Sequence, residues 1–160
     1  MNFLMTNDIL VQDLNITAPN KSPNTDGIHI SQSTKINITS FTIGVGDDCL
    51  SIGPGSNNIF ISKITCGPGH GISVGSLGKY PNEQDPSQVK ISDVHFKNIR
   101  GTTTTKSEVT LVCSSSMACE NVVLANIDHK YILPDGPATS TCTNMKGISI
   151  TGMENPQPCS

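Results

Sequence analysis

Tryptophan is absent, and only two tyrosines and four phenylalanines occur in 160 residues. A core built from large aromatic side chains is therefore excluded. Charged residues make up 14% of the chain and the net charge is −3, so the basic footprint of a nucleic-acid binder is missing. Arginine occurs once, at Arg100. No apolar run approaches the ~20 residues needed to span a membrane. The start, Met1-Asn2-Phe3-Leu4-Met5, lacks the basic and sustained apolar stretches of a signal peptide. No CxxC pair is present, which argues against a zinc site. No segment keeps a helical period, so the fold is read as all-β.

The chain is rich in strand and turn formers. Its apolar content is mostly Ile, Val and Leu, which favour strands. Short alternations run from end to end, among them Ile28-x-Ile30, Ile36-x-Ile38, Leu50-x-Ile52, Ile59-x-Ile61, Ile72-x-Val74, Val94-x-Phe96 and Ile148-x-Ile150. Each has the period of two of a strand with one buried face. Gly, Asn, Asp and Pro lie between them and supply turns.

A longer period overlies the short one. Asn24-Thr25-Asp26, Gly46-Asp47-Asp48 and Pro68-Gly69-His70 are spaced 22 residues apart. A period of this size with several strands per turn marks a solenoid. In a parallel β-helix, residues one period apart stack ~4.8 Å from each other. The expectation is a single right-handed parallel β-helix domain over 1–160, with Asp26, Asp48 and His70 in one column and Asp47 beside them. An antiparallel β-sandwich also has many short strands, but it gives no reason for three polar triplets to share one spacing.

Such a column has a chemical use. Neighbouring carboxylates raise one another's pKa, which lets one act as acid while another acts as base. Glycoside hydrolysis uses such a pair. His70 can tune the proton state or bind substrate. Gly67, Gly69 and Gly71 would let a sugar chain approach the backbone. Adjacent strand residues face opposite ways, so Asp47 and Asp48 share a site only at a strand end or bulge. Taken singly, each Asp reads as a turn residue capping its own backbone, and His70 as a structural or exposed histidine.

The cysteines are Cys49, Cys66, Cys113, Cys119, Cys142 and Cys159, an even number that suits disulfides and an oxidising compartment. Six cysteines admit 15 pairings, and buried free thiols are the alternative. Sequence-adjacent pairing (49–66, 113–119, 142–159) closes the shortest loops. Sequons at Asn15 and Asn37, and a third at Asn20 weakened by Pro23, fit a secreted, glycosylated surface.

The blocks Asn24-Thr25-Asp26, Gly46-Asp47-Asp48 and Gly69-His70-Gly71, within Ser22–His29 and Cys66–Gly78, resemble the signature of the polygalacturonases, glycoside hydrolase family 28. Similarity covers most of the chain and is strongest to pollen exopolygalacturonases of plants. The resemblance implies inverting hydrolysis of α-1,4-galacturonosyl links in pectin, with overall similarity favouring exo action, outside the cell, by a monomer without metal or cofactor. It implies Asp47 as general acid, Asp26 and Asp48 as the pair that holds and activates the attacking water, and His70 as support for the acid or a sugar-binding residue. Asn24, Gly69 and Gly71 would bind substrate, and Cys49 would pair with Cys66.

The chain also departs from the family. It has no Arg-x-Lys, which the family uses to hold substrate carboxylates, and neither Tyr80 nor Tyr131 matches the family's cleft tyrosine. The sequence reads as if coils were missing before Met1 and at a join near Gln84-Asp85. Lys90 is the candidate replacement cation, against a surface lysine as the plainer reading. Weak or no hydrolysis is expected, and a pectin-binding remnant of the fold is the alternative. A calcium-dependent pectate lyase, the third reading, would need a basic residue to abstract a proton; the scarcity of arginine and the Asp47-Asp48 pair argue against it.

Overall fold

The computed structural model describes residues 1–75 and 90–157. The join near Gln84-Asp85, together with Val89 and Cys159, lies outside these residues.

Two parallel sheets wind around one core. Short strands β1 (Asn2–Leu4), β3 (Ile28–Ser31), β5 (Leu50–Ile52), β7 (Ile72–Gly75), β9 (Ser107–Val112) and β11 (Thr139–Thr143) stack in that order. Long strands β2 (Asn7–Thr17), β4 (Thr34–Gly44), β6 (Asn57–Cys66), β8 (Ser92–Thr103) and β10 (Cys119–Tyr131) form the second sheet, which ends on β12 (Met145–Lys146) and β13 (Ser149–Asn155). The chain alternates between the sheets, and every pairing is parallel. This is a parallel β-solenoid, and it rules out the sandwich.

The long strands correct one detail of the sequence reading. Ile36-x-Ile38 and Ile43-x-Val45 read as separate strands, yet β4 runs through both as far as Gly44. The physical reason is a left-handed residue inside each long strand. Asp13, Ser40, Lys63, Asn98 and Asn126 all have φ between 55° and 61°. They fall at one register position across the sheet. Each shifts the alternation by one residue and bends the strand. Buried side chains therefore run Ile36, Ile38, then Phe41, Ile43, and likewise Val122, Leu124, then Ile127. A second such column holds Asp8, Lys35, Asn58, Asp93 and Asn121. Asp and Asn recur there because they are among the L residues that enter this region most readily. Asn121 Nδ2 donates to Asp93 Oδ1 and Asn126 Nδ2 to Asn98 Oδ1, both at 3.1 Å, which links successive coils.

The core consists of apolar ladders, mostly aliphatic. Ile28, Leu50, Ile72 and Val109 form one ladder, and Ile38, Ile61, Phe96 and Leu124 another; all are at most 2% exposed. Burying each such side chain is worth ~1.5–3 kcal/mol. Cys49 bonds Cys66 and Cys113 bonds Cys119, as the sequence-adjacent pairing expects. The 142–159 pairing falls on Cys159, outside the described residues.

Two ionisable residues share this core. Glu108 and His129 are both fully buried, with His129 Nδ1 against Glu108 Oε1. Composition and periodicity gave no warning of them.

Candidate active site

The register stacks the three triplets. Ile28, Leu50 and Ile72 are partners across β3, β5 and β7, so Asp26, Asp48 and His70, each two residues earlier, align. The turns bond accordingly. Gly27 N donates to Asp48 O at 2.8 Å, and His70 N to Asp47 O at 2.9 Å. Asp47 and Asp48 lie between β4 and β5, off the regular strands, which is how neighbours in sequence come to face one site.

The side chains then interlock. His70 Nδ1 lies 3.0 Å from Asp47 Oδ1, and the same oxygen accepts from Asp48 N–H at 2.9 Å. Asp47 Oδ2 has no such partner among the described residues. Ser51 Oγ donates to Asp26 Oδ2 at 2.6 Å, and Ser73 Oγ to Asp48 Oδ2 at 2.5 Å. His29 Nδ1 lies 2.6 Å from Ser51 Oγ. Since that hydroxyl gives its proton to Asp26, His29 is its donor. Burial is the main cause holding Asp48 above the ordinary carboxylate range; the Ser73 bond opposes it, and the negative charges of Asp26 and Asp47 add to it.

His29, Ser51 and Ser73 were not singled out from the sequence, although a signal for them exists. Each is the middle residue of an apolar-x-apolar strand (Ile28-His29-Ile30, Leu50-Ser51-Ile52, Ile72-Ser73-Val74), so it faces outward. Each Asp takes its serine from the next coil, 25 residues on.

Asn24 adopts φ 50° and lines a cleft of about 440 Å³ with Met1, Asn2, Asp26 and His29. The glycines have a packing reason. Gly69 and Gly71 are buried. A Cβ at Gly69 would lie 2.9 Å from Asp47 O, and one at Gly71 would overlap the Glu108 carbonyl. Neighbouring coils thus fill the space that a side chain would take at either position.

The cation question is also answered in part. Lys90 ion-pairs with Glu120 at 2.7 Å. It lies just ahead of β8, whose first residue aligns with Asn57 and Thr34, the starts of long strands; the acidic row lies beyond those strands' ends. Lys90 is therefore a surface lysine remote from the row. Arg100 is exposed on the outer face of β8 beside Lys63 and Asn98. Asp47, Asp48 and His70 present ligand atoms within 4.8 Å of one another, a spacing that would admit a metal ion.

The profile of Glycosyl hydrolases family 28 matches residues 1–85 and 79–155. The chain belongs to this family. Among curated relatives, an exopolygalacturonase of Oenothera organensis is 38% identical, covering 100% of this chain and 62% of its own length. An exopolygalacturonase of Platanus acerifolia is 36% identical over 91% of this chain and 56% of its own length. A polygalacturonase of Gossypium barbadense is 36% identical over 100% and 54%. The chain thus spans little more than half the length of these family 28 relatives. The Oenothera alignment extends over 224 positions for the 160 residues here.

Proposed function

We propose that this chain is a polygalacturonase-type glycosidase that hydrolyses α-1,4-galacturonosyl links of pectin by acid–base catalysis. The observation that carries the reading is the convergence of Asp26, Asp47, Asp48 and His70 in one row on stacked turns. Family membership and the polygalacturonase names of the relatives point the same way.

The roles follow from the bonds. Asp47 Oδ1 is occupied by His70 and the Asp48 amide, which leaves Oδ2 to carry a proton to the leaving oxygen. Asp48, made more basic by burial, takes the proton of the attacking water together with Asp26. Ser51, with His29 behind it, and Ser73 fix the orientation of these two carboxylates. Asn24 contacts the sugar beside Asp26.

The reaction is read as inverting, in line with the family resemblance. Inverting pairs usually stand ~6.5–9.5 Å apart to admit water, and retaining pairs ~5–5.5 Å. The configuration of the first product, followed by NMR, decides: inversion upholds these roles, and retention makes Asp48 a nucleophile. A galacturonide with an activated leaving group should restore Asp47→Asn and not Asp48→Asn; the reverse would exchange acid and base.

The protein is read as extracellular, glycosylated at Asn15 and Asn37, monomeric, and acting on cell-wall pectin, with exo action favoured by the names of two relatives. A pectin-binding remnant is the second reading. The outward column His29, Ser51, Ser73 and Thr110 carries no lysine or arginine to position a substrate carboxylate, which counts against turnover. We read the relatives' extra aligned positions as coils lost near Gln84-Asp85.

A further inference from the structure

A pectate chain carries a carboxylate on every sugar, so a site that grips it needs cations. The contacts between coils show which one the fold supplies. Leu50, Ile72 and Val109 are partners across β5, β7 and β9. Ahead of β9 the register changes: Gly69 bonds Thr103 and Thr104, so the turn carries Thr105, Lys106 and Ser107 as additional residues beside His70 before Glu108 rejoins the stack. The turn bearing Lys106 is tied to the turn bearing His70: Thr104 N donates to Gly69 O at 3.1 Å, and the buried Thr103 Oγ1 to the same oxygen at 3.0 Å. Lys106 is thus two coil spacings, ~10 Å, from Asp47 along the solenoid axis. A pectate chain lying along the row would place the carboxylate of a neighbouring sugar there.

The ammonium is held and still has capacity. Lys106 Nζ donates to Asp135 O at 2.7 Å and lies 3.1 Å from Asp135 Oδ2. Tyr131 Oη donates to Asp135 Oδ1 at 2.6 Å, which fixes that carboxylate. The backbone of Lys106 is anchored by Thr139 N, which donates to Lys106 O at 2.7 Å. A lysine has three N–H donors. Asp135 engages two, and the side chain is 46% exposed, so the third is available.

We propose that Lys106, oriented by Asp135 and Tyr131, is the residue that binds a uronate carboxylate at the sugar position beyond His70 and so selects de-esterified over methyl-esterified pectin. The proposal rests on the pectin reading above and goes beyond it by naming the cation that the missing Arg-x-Lys leaves to be found.

The test is calorimetric titration of the full chain with tetragalacturonate and with its methyl ester, beside a hydrolysis assay of the same samples. Wild type should prefer the acid form. Lys106→Met should weaken acid binding about tenfold or more, leave ester binding unchanged and erase the preference. Lys106→Arg, which keeps the charge, should retain much of the preference. Folding of each variant is checked by circular dichroism. Equal acid binding by wild type and a folded Lys106→Met would overturn the proposal while leaving the hydrolase reading intact. Lys106-dependent binding without turnover would support the proposal and count against hydrolysis alone. No binding and no turnover by wild type would overturn both.

Discussion

Glu108 stands to His129 as Cys49 stands to Cys66. Cys49, Gly71 and Glu108 share one inward column, each a residue before an aligned strand partner, and Cys66, Gly101 and His129 share another. The disulfide joins the two columns at one level, and the buried acid–base pair joins them two levels further along. Among the described residues neither side chain has a further polar partner, so each compensates the other. Removing one leaves an uncompensated buried group, which commonly costs ~3–5 kcal/mol, whereas replacing both by packed aliphatic residues is often neutral or favourable. Glu108→Leu and His129→Leu should each lower denaturant stability by about that amount, and the double variant should recover most of it. A double variant as unstable as the sum of the singles would refute the pairing.

The disulfide should behave as a staple near the site. Its cysteines are 17 residues apart in sequence, and Cys49 directly follows Asp48. A loop of this size is worth ~3 kcal/mol. Cys49→Ala with Cys66→Ala should lose roughly that in chemical denaturation and also slow turnover, because the Asp48 turn loses its anchor. Unchanged turnover would show that the turn bonds alone hold it.

Asp48 should cost stability at neutral pH. Its carboxyl is held above the ordinary value chiefly by burial, so the folded chain binds a proton more readily than the unfolded chain. By linkage, stability then falls as pH rises from the ordinary carboxylate value through the raised one. Asp48→Asn should therefore melt higher than wild type at pH 7, by ~2–4 °C for each 1 kcal/mol relieved. The gain should disappear at about pH 3. A gain independent of pH would point to a cause other than the charge.

The left-handed columns make a backbone prediction. Ser40 holds φ 61° at a position where Lys63, Asn98 and Asn126 do the same. An L side chain other than Asn or Asp is disfavoured there by ~1–2 kcal/mol. Ser40→Gly should stabilise by up to ~1 kcal/mol after the entropy cost of glycine. Asn126→Ala should destabilise more than Asn126→Gly, although both lose the bond to Asn98. Equal losses would mean that the ladder bond, not the backbone, decides.

Legibility followed the physics. The parallel stack was readable because three triplets repeat at one spacing and lie where the chain turns from a long strand to a short one. The row of Asp26, Asp48 and His70 came with it, and Asp47 joined because it lies off the strands. The bends were less visible: a single left-handed residue changes the phase of the alternation, so one strand reads as two. Ser51, Ser73 and His29 were hidden by their ordinary residue types, and only the cross-coil contacts give them a role. Lys106 was missed because the count ran 20 residues on from His70 to Lys90, whereas the residue level with His70 on the next coil lies 34 residues further, at Thr104, two before Lys106. Glu108 and His129 could not be read at all, since only a partner in space makes buried ionisable groups tolerable.

Release of reducing ends from de-esterified polygalacturonate, with a chelator present, tests the central claim most directly. The account predicts slow release by the wild-type chain, unaffected by the chelator and reduced ~10²-fold or more in Asp47→Asn. Wild-type release no greater than that of Asp47→Asn, or release that requires calcium and yields unsaturated ends, would contradict it.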